Sequence, residues 1–243
     1  MHAFRQVFRL SSEYPRSLFD LREPPSVLAV RGPLLFDEKP VLGIVGSRES
    51  SLAAESWMRL HLPKLARDVV ILSGGARGID DLAHRIAVSE KSPTAVVLPS
   101  ALDRPYPSDW SDRADGVLKS QGCLISEFES GTSVRPWHFE KRNRIIAALS
   151  DVLLVVEARK RSGTAITARH ARELGRLVAT LPWFPGDPRG EFCNQLLFEG
   201  AMPVRDATDL ALLIQAEARR RLSDARRSAV PDSLHQEERR DTE

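Results

Sequence analysis

VLGIVGSR at residues 41–48 and VVILSGGARGID at residues 69–80 decide the fold. Each is apolar at nearly every position and then turns abruptly to glycine, serine and arginine. A strand with one buried face alternates apolar and polar residues. A strand that is apolar throughout is buried on both faces, as in a parallel sheet covered by helices above and below. Four further runs repeat the pattern: TAVVLP (94–99), CLISEF (123–128), DVLLVVEA (151–158) and RLVATLP (176–182). Helix-length amphipathic stretches separate them, so parallel strands joined by crossover helices are expected. The fold class that follows is α/β and doubly wound, with a mostly parallel sheet and helices on both faces.

Residues 41–217 are assigned to this domain. Before it, Pro15, Pro24, Pro25, Pro33 and Pro40 break residues 1–40 into short pieces, with Ser26 to Val30 a candidate edge strand. That stretch is expected to wrap the domain as an arm. After it, residues 218–243 are dense in mixed charge and poor in apolar side chains, so a last helix over Leu210 to Arg221 is expected to fray into a disordered tail.

The formal net charge over 243 residues is only +2, so any basic site has to be local. Cys123 and Cys193 show no metal or redox spacing and suggest reduced thiols. The opening MHAFRQVFRL lacks the apolar run of a signal peptide, and no window reaches the ~20 apolar residues of a membrane span. A cytoplasmic address without membrane association is expected.

Ligands of a parallel sheet bind beyond the carboxyl ends of its strands, so the residues after each run carry the chemistry. The first run ends in Gly46, Ser47 and Arg48, which offer close backbone approach, a hydroxyl and a guanidinium fork. The second ends in Ser73, Gly74, Gly75, Arg77 and Gly78 ahead of a helix, a turn suited to cradling a phosphate. It matches neither the dinucleotide fingerprint nor a Walker A loop. Asp80 and Asp81 in the following helical turn suit the helix dipole, and His84 suits packing. After the fourth run, Arg135, Lys141, Arg142 and Arg144 crowd a helix start together with Asn143, Trp137 and Phe139. Cations there are disfavoured by the dipole unless an anion joins them, and the aromatics belong either to that ligand or to the core. The fifth run leads through Arg159, Lys160 and Arg161 into Ser162, Gly163 and Thr164, again basic residues at a helix start. Several such turns along one sheet edge imply a polymeric ligand. Glu127 and Glu157 end strands without a partnered histidine or metal cluster, and are expected to hold loop N–H groups or orient arginines.

Taken in order, Tyr14-Pro15, Pro24-Pro25, Arg31-Gly32, IVGSR (44–48), SGGARGID (73–80), Ala83-His84, Tyr106-Pro107, Ser126-Glu127, F..RNRII (139–146), VVEA...SGTAIT (155–167) and Gly200-Ala201 resemble the DprA/Smf family of DNA-processing proteins of bacterial natural transformation. The resemblance spans about residues 14–215. It implies an extended Rossmann-like fold, sequence-independent binding of single-stranded DNA, a homodimer and delivery of the DNA to the RecA recombinase, with no enzymatic activity, cofactor or metal. The contacts it implies are Ser47 and Arg48, the Gly74 to Gly78 loop, Arg142 to Arg144, and Ser162 to Thr164, with Arg161 at a basic position beside them. Phe139 is the candidate base-stacking residue. Glu140 stands where the family usually has proline, and Arg135 is the nearest cation before Phe139. Neither the N-terminal helical domain nor the C-terminal winged helix of many relatives is expected within these residues. Leu196, Leu197, Phe198 and Met202 could serve core or dimer interface. The rival reading is a nucleotide phosphoribohydrolase of the lysine-decarboxylase-like group, but Ala165, Ile166 and Thr167 follow Gly163-Thr164 where that class relies on a glutamate.

Overall fold

The computed structural model describes residues 4–228, with side chains as far as Arg221. Among these residues nine strands form one sheet. The chain begins with β1 (Arg5–Phe8) and β2 (Val27–Arg31), then β3 (Val41–Val45), α1 (Leu52–His61), β4 (Val70–Gly74), α2 (Ile79–Ser89), β5 (Thr94–Val97), α3 (Trp110–Lys119) and β6 (Cys123–Ser126). It continues with α4 (Pro136–Leu149), β7 (Val152–Val155), α5 (Gly163–Glu173), β8 (Leu177–Thr180), α6 (Glu191–Phe198), β9 (Met202–Pro203) and α7 (Ala207–Ser228). The spatial order is β1-β2-β6-β5-β4-β3-β7-β8-β9. From β6 to β9 every neighbouring pair is parallel, and the two strands of the arm add antiparallel to the β6 edge. This is a Rossmann-like sheet extended at one side.

All six apolar runs become parallel strands, and their burial explains the pattern. Along β3, Val41 and Val45 face a core layer that includes α4, α5 and α6, while Leu42 and Ile44 face α1, α2 and α7. Trp110, Ala114 and Val117 of α3 cover Val96, Leu98 and Leu124 separately. The arm forms two strands instead of one. Its anchoring is polar as well as apolar: Tyr14 donates to Pro25 O at 2.8 Å, and Arg176 donates to Ala148 O at 2.9 Å and to the Asp20 carboxylate. Arg221 donates to Phe36 O at 2.7 Å and pairs with Asp151 at 3.3 Å. The last helix runs to Ser228, and residues 229–243 of the charged tail lie outside the described residues.

The chain runs from β3 outward to β6 and then returns to the other side of β3 as β7. β3 and β7 therefore straddle the point where the strand order reverses, which opens a crevice at their carboxyl ends. Gly43, paired with Leu72 and Leu153, lets the end of α4 settle onto the centre of β3. A methyl group there would lie 2.0 Å from Ser150 Oγ and 3.0 Å from Leu153 Cδ1. Gly43→Ala is expected to cost about 1 to 3 kcal/mol by overpacking, read as a drop of several degrees in thermal unfolding. Ser150→Gly in the same chain should recover part of that loss, and an unchanged midpoint in Gly43→Ala would show that the contact is not tight.

Candidate nucleic-acid interface

The crevice beyond β3 and β7 has a volume of about 400 Å³. One wall is the loop from Gly46 to Ser51, another the first turn of α5, and a third the exposed side of α4's N-terminal half. The first wall is fixed by Glu157, which is buried just beyond β7. Its carbonyl accepts from Ser47 N at 2.8 Å, and its carboxylate accepts from Ser51 N at 3.0 Å and from the Ser51 hydroxyl. Ser51 in turn caps α1 through Ala54 N. Glu157 thus holds loop N–H groups, in keeping with its placement at a strand end.

At the second wall, Thr164 Oγ1 donates to Gly46 O at 3.2 Å, tying α5 to the loop across the reversal point. Gly163 and Thr164 bring to the crevice N–H groups that have no partner within the helix, together with the positive end of its dipole. The Ser162 hydroxyl is buried there without a hydrogen-bond partner. Arg48, Arg159 and Arg161 line the same space, are exposed, and form no salt bridge among the described residues. The Arg48 guanidinium lies 5.4 Å from the centre of the Phe139 ring, which Tyr106 meets edge-on at 5.8 Å. An anion-attracting wall thus stands beside an aromatic surface.

The floor is polar and closed. Arg142 is 5% exposed, donates to Val97 O at 2.8 Å and to Asn143 Oδ1 at 3.1 Å, and presses on Gly74, where a methyl would lie 2.2 Å from Nη1. Burial lowers its pKa to about 10, against the pull of Asp80. Asp80 is 6% exposed, and its carboxyl is pushed up to about 6 by burial, opposed chiefly by Arg142 and more weakly by the polar groups of Ser73 and Ala76 beside it. Asn143 donates onward to Gly163 O at 3.4 Å.

Of the residues expected to grip phosphate, the fold brings Gly46, Ser47, Arg48, Arg142, Asn143, Arg161, Ser162, Gly163 and Thr164 to this crevice, together with the candidate stacking residue Phe139. Ser47 closes its own turn, donating to Glu49 O at 2.9 Å and accepting from Glu49 N at 3.1 Å. Of the glycine-rich turn after β4, Ala76 lines the crevice, whereas Ser73, Gly74, Gly75, Arg77 and Gly78 are not among its lining residues. Ser73 is buried and donates to Ile44 O, and Gly75 gives room to Trp110, whose Nε1 donates to its carbonyl at 2.9 Å. Gly78 has φ +75° and a methyl there would lie 2.3 Å from Ser47 O, so its freedom serves the meeting of two loops. Arg77 and Arg135 are exposed outside the crevice. Lys141 stands 5.5 Å from the ring of Trp137, which is 51% exposed and therefore not core. Arg144 points away to the arm, donating to Glu23 O at 2.8 Å and pairing with Glu127. His84 is a packing residue, bonded to Thr94 and to Gly74 O at 2.8 Å. The sequence placed Arg159 in a basic turn and Glu140 within the groove without naming either as a contact, and gave Tyr106 no site role. Tyr106 reaches Phe139 through a loop with no periodic signal, so spacing alone could not place it.

The Arg144–Glu127 pair yields a stability test. Burial raises the Glu127 carboxyl, and Arg144 opposes that shift. Arg144→Ala leaves a buried carboxylate unpaired and should cost about 3 kcal/mol at pH 7. A folded-state pKa raised above the unfolded value makes the loss shrink as pH falls, because the neutral acid needs no counter-charge. Denaturant unfolding of the variant should therefore approach wild type as the pH is lowered from 7 and the raised carboxyl takes up its proton, and a penalty that does not change with pH would exclude Glu127 as its origin.

The comparisons agree with this architecture. The family model described as DNA recombination-mediator protein A matches residues 5–215. Protein Smf of Escherichia coli (strain K12) is 39% identical over 201 residues, which cover 82% of this chain and 54% of that protein, so the chain spans about half the length of that relative. The X-ray structure of DNA processing protein A from Streptococcus pneumoniae aligns with a TM-score of 0.80 at 32% identity, covering 86% of this chain and 74% of the other. A Helicobacter pylori DNA processing protein A structure, described in terms of that protein's single-stranded DNA binding mode, aligns with a TM-score of 0.76 at 26% identity, covering 89% and 96%. With its family model covering most of its length and its sheet shared with two solved members, the chain belongs to the DNA recombination-mediator protein A family, the DprA/Smf DNA-processing proteins.

Proposed function

We propose that this chain binds single-stranded DNA with little dependence on sequence and hands it to the RecA recombinase, acting as a binding protein and not as an enzyme, in the cytoplasm. The observation that carries the reading is the juxtaposition of three unpaired arginines and the start of α5 with the Phe139 ring, at the point where the strand order reverses. Phosphates are held by the cations and the free N–H groups, and an unstacked base lies on the ring. Duplex DNA offers phosphates but no free base face, so single strands are favoured. The Ser73 to Gly78 turn contributes by shaping the loops, and Arg142 by fixing the floor. The RecA step rests on family membership.

Affinity for oligo-dT is expected to fall steeply with salt, and each lost phosphate contact should reduce the log–log slope by about 0.7. Arg48→Ala and Arg161→Ala should each weaken binding by about 1 to 3 kcal/mol in a fluorescence anisotropy titration. Unchanged affinity in both variants would put the DNA elsewhere. Release of adenine from AMP without DNA binding would favour the phosphoribohydrolase reading.

Homodimerisation is part of the proposal and is supported by the β9 end of the sheet. Leu196 is core, whereas Phe198 is 95% exposed and Met202, on the edge strand, is 43% exposed. An apolar side chain left fully in water beside an unpaired strand edge suits a second copy. Light scattering at micromolar concentration should give twice the chain mass, and Phe198→Asp should shift it to monomer. A monomeric wild type would remove this part of the reading.

A further inference from the structure

Two carboxylates line the crevice, Asp80 and Glu140. Asp80 is accounted for: it is buried on the floor against Ser73, Ala76 and Arg142. Glu140 is not. It is exposed on the turn of α4 that follows Phe139, and among the described residues it has neither a hydrogen bond nor an ion pair, although Arg48, Arg159 and Arg161 share the crevice with it. An unpaired acid in an anion-binding groove opposes every phosphate that enters. Its chemistry suits the other half of a nucleotide. A carboxylate accepts hydrogen bonds and cannot donate them, so it favours a base edge carrying an amino group, such as cytosine N4, over thymine, whose one donor, N3–H, is flanked by the repelling O2 and O4 carbonyls. The Asn143 amide is engaged, accepting from Arg142 Nε and donating to Gly163 O. Among the described residues Glu140 is the anionic acceptor in the crevice that has no partner, on the helical turn that carries the ring.

We propose that Glu140 is a specificity-determining residue of the crevice, reading the amino edge of the base stacked on Phe139 and disfavouring thymine at that position. The proposal rests on the crevice being the single-stranded DNA site. It adds a local base preference to an otherwise sequence-tolerant grip, through one hydrogen bond at one nucleotide.

The test compares wild type, Glu140→Gln and, as a charge control on a surface acid outside the crevice, Glu38→Gln. Each is titrated at pH 8 against fluorescein-labelled oligo-dC, oligo-dT and oligo-dU of equal length. A glutamine amide both donates and accepts, so it cannot discriminate. Glu140→Gln is expected to bind oligo-dT and oligo-dU several-fold more tightly than wild type while its affinity for oligo-dC stays level or falls. The dC-to-dT affinity ratio then drops at least threefold, whereas Glu38→Gln keeps the wild-type ratio. Equal tightening towards all three oligonucleotides would mean that Glu140 meets only phosphates, and no change towards any of them would mean that it meets nothing; either result overturns the proposal while leaving the crevice as the DNA site. A wild type that binds none of the three overturns the reading of the crevice, and this proposal with it.

Discussion

A guanidinium group deep in a protein must be compensated on every side, and around Arg142 that requirement organises the centre of the molecule. The charge enters from α4, is received by Val97 O at the end of β5, rests on the bare backbone of Gly74 at the end of β4, and faces Asp80 in the first turn of α2. Through Asn143 the same arrangement reaches Gly163 at the start of α5. Three crossover helices and the ends of two strands are thus joined under the crevice by Arg142 and its neighbour Asn143. A smaller or neutral residue at position 142 would leave Asp80 buried without its principal counter-charge, the costly half of a broken pair. Hence the glycine at position 74, where any side chain would displace the guanidinium.

That constraint explains which parts of the site could be read from sequence. The six strands were legible because burial on both faces leaves an uninterrupted apolar run, and the crevice was legible because it must lie at the carboxyl ends of those strands. Glycine and arginine were harder. A glycine admits close approach, but the sequence does not say of what, and here Gly74, Gly75 and Gly78 admit Arg142, Trp110 and the Ser47 carbonyl. Arginine is ambiguous in the same way. Arg142, Arg144 and Arg161 look alike on paper, yet one supports the floor, one clamps the arm through Glu23 O and Glu127, and one faces the open crevice. Only the helical angle and the neighbours from distant strands separate them. The second strand of the arm was hidden for a related reason: β1 has only Val7 buried, so its four residues carry no alternation strong enough to register.

The net charge of +2 conceals how the cations are deployed. Many arginines are spent on ion pairs, including those with Asp20, Asp81, Glu127, Asp187, Glu199 and Asp209. Such pairs cancel in the far field. Arg48, Arg159 and Arg161 do not cancel, and they converge where the α5 dipole adds to them. Local potential at the crevice is therefore set by a few uncompensated groups, and the bulk composition is silent about it.

Rigidity follows from the same connections. The loop carrying Arg48 is held at Ser47 and Ser51 by Glu157, at Ser47 O by Ile79 N, and at Gly46 O by Thr164. These bonds come from β7, α2 and α5, elements on both sides of the reversal point. Little backbone ordering is left for the moment of binding, so the cost of assembling the crevice falls on folding and not on ligand capture. On the proposed reading, a polymer that touches only a few uncompensated charges can then be held firmly, because the groups that meet it need not be gathered first. The groups still free to adjust are long side chains on a fixed frame, Arg48, Arg159, Arg161 and Glu140, and under the proposed reading the chemistry of their ends decides what the crevice accepts.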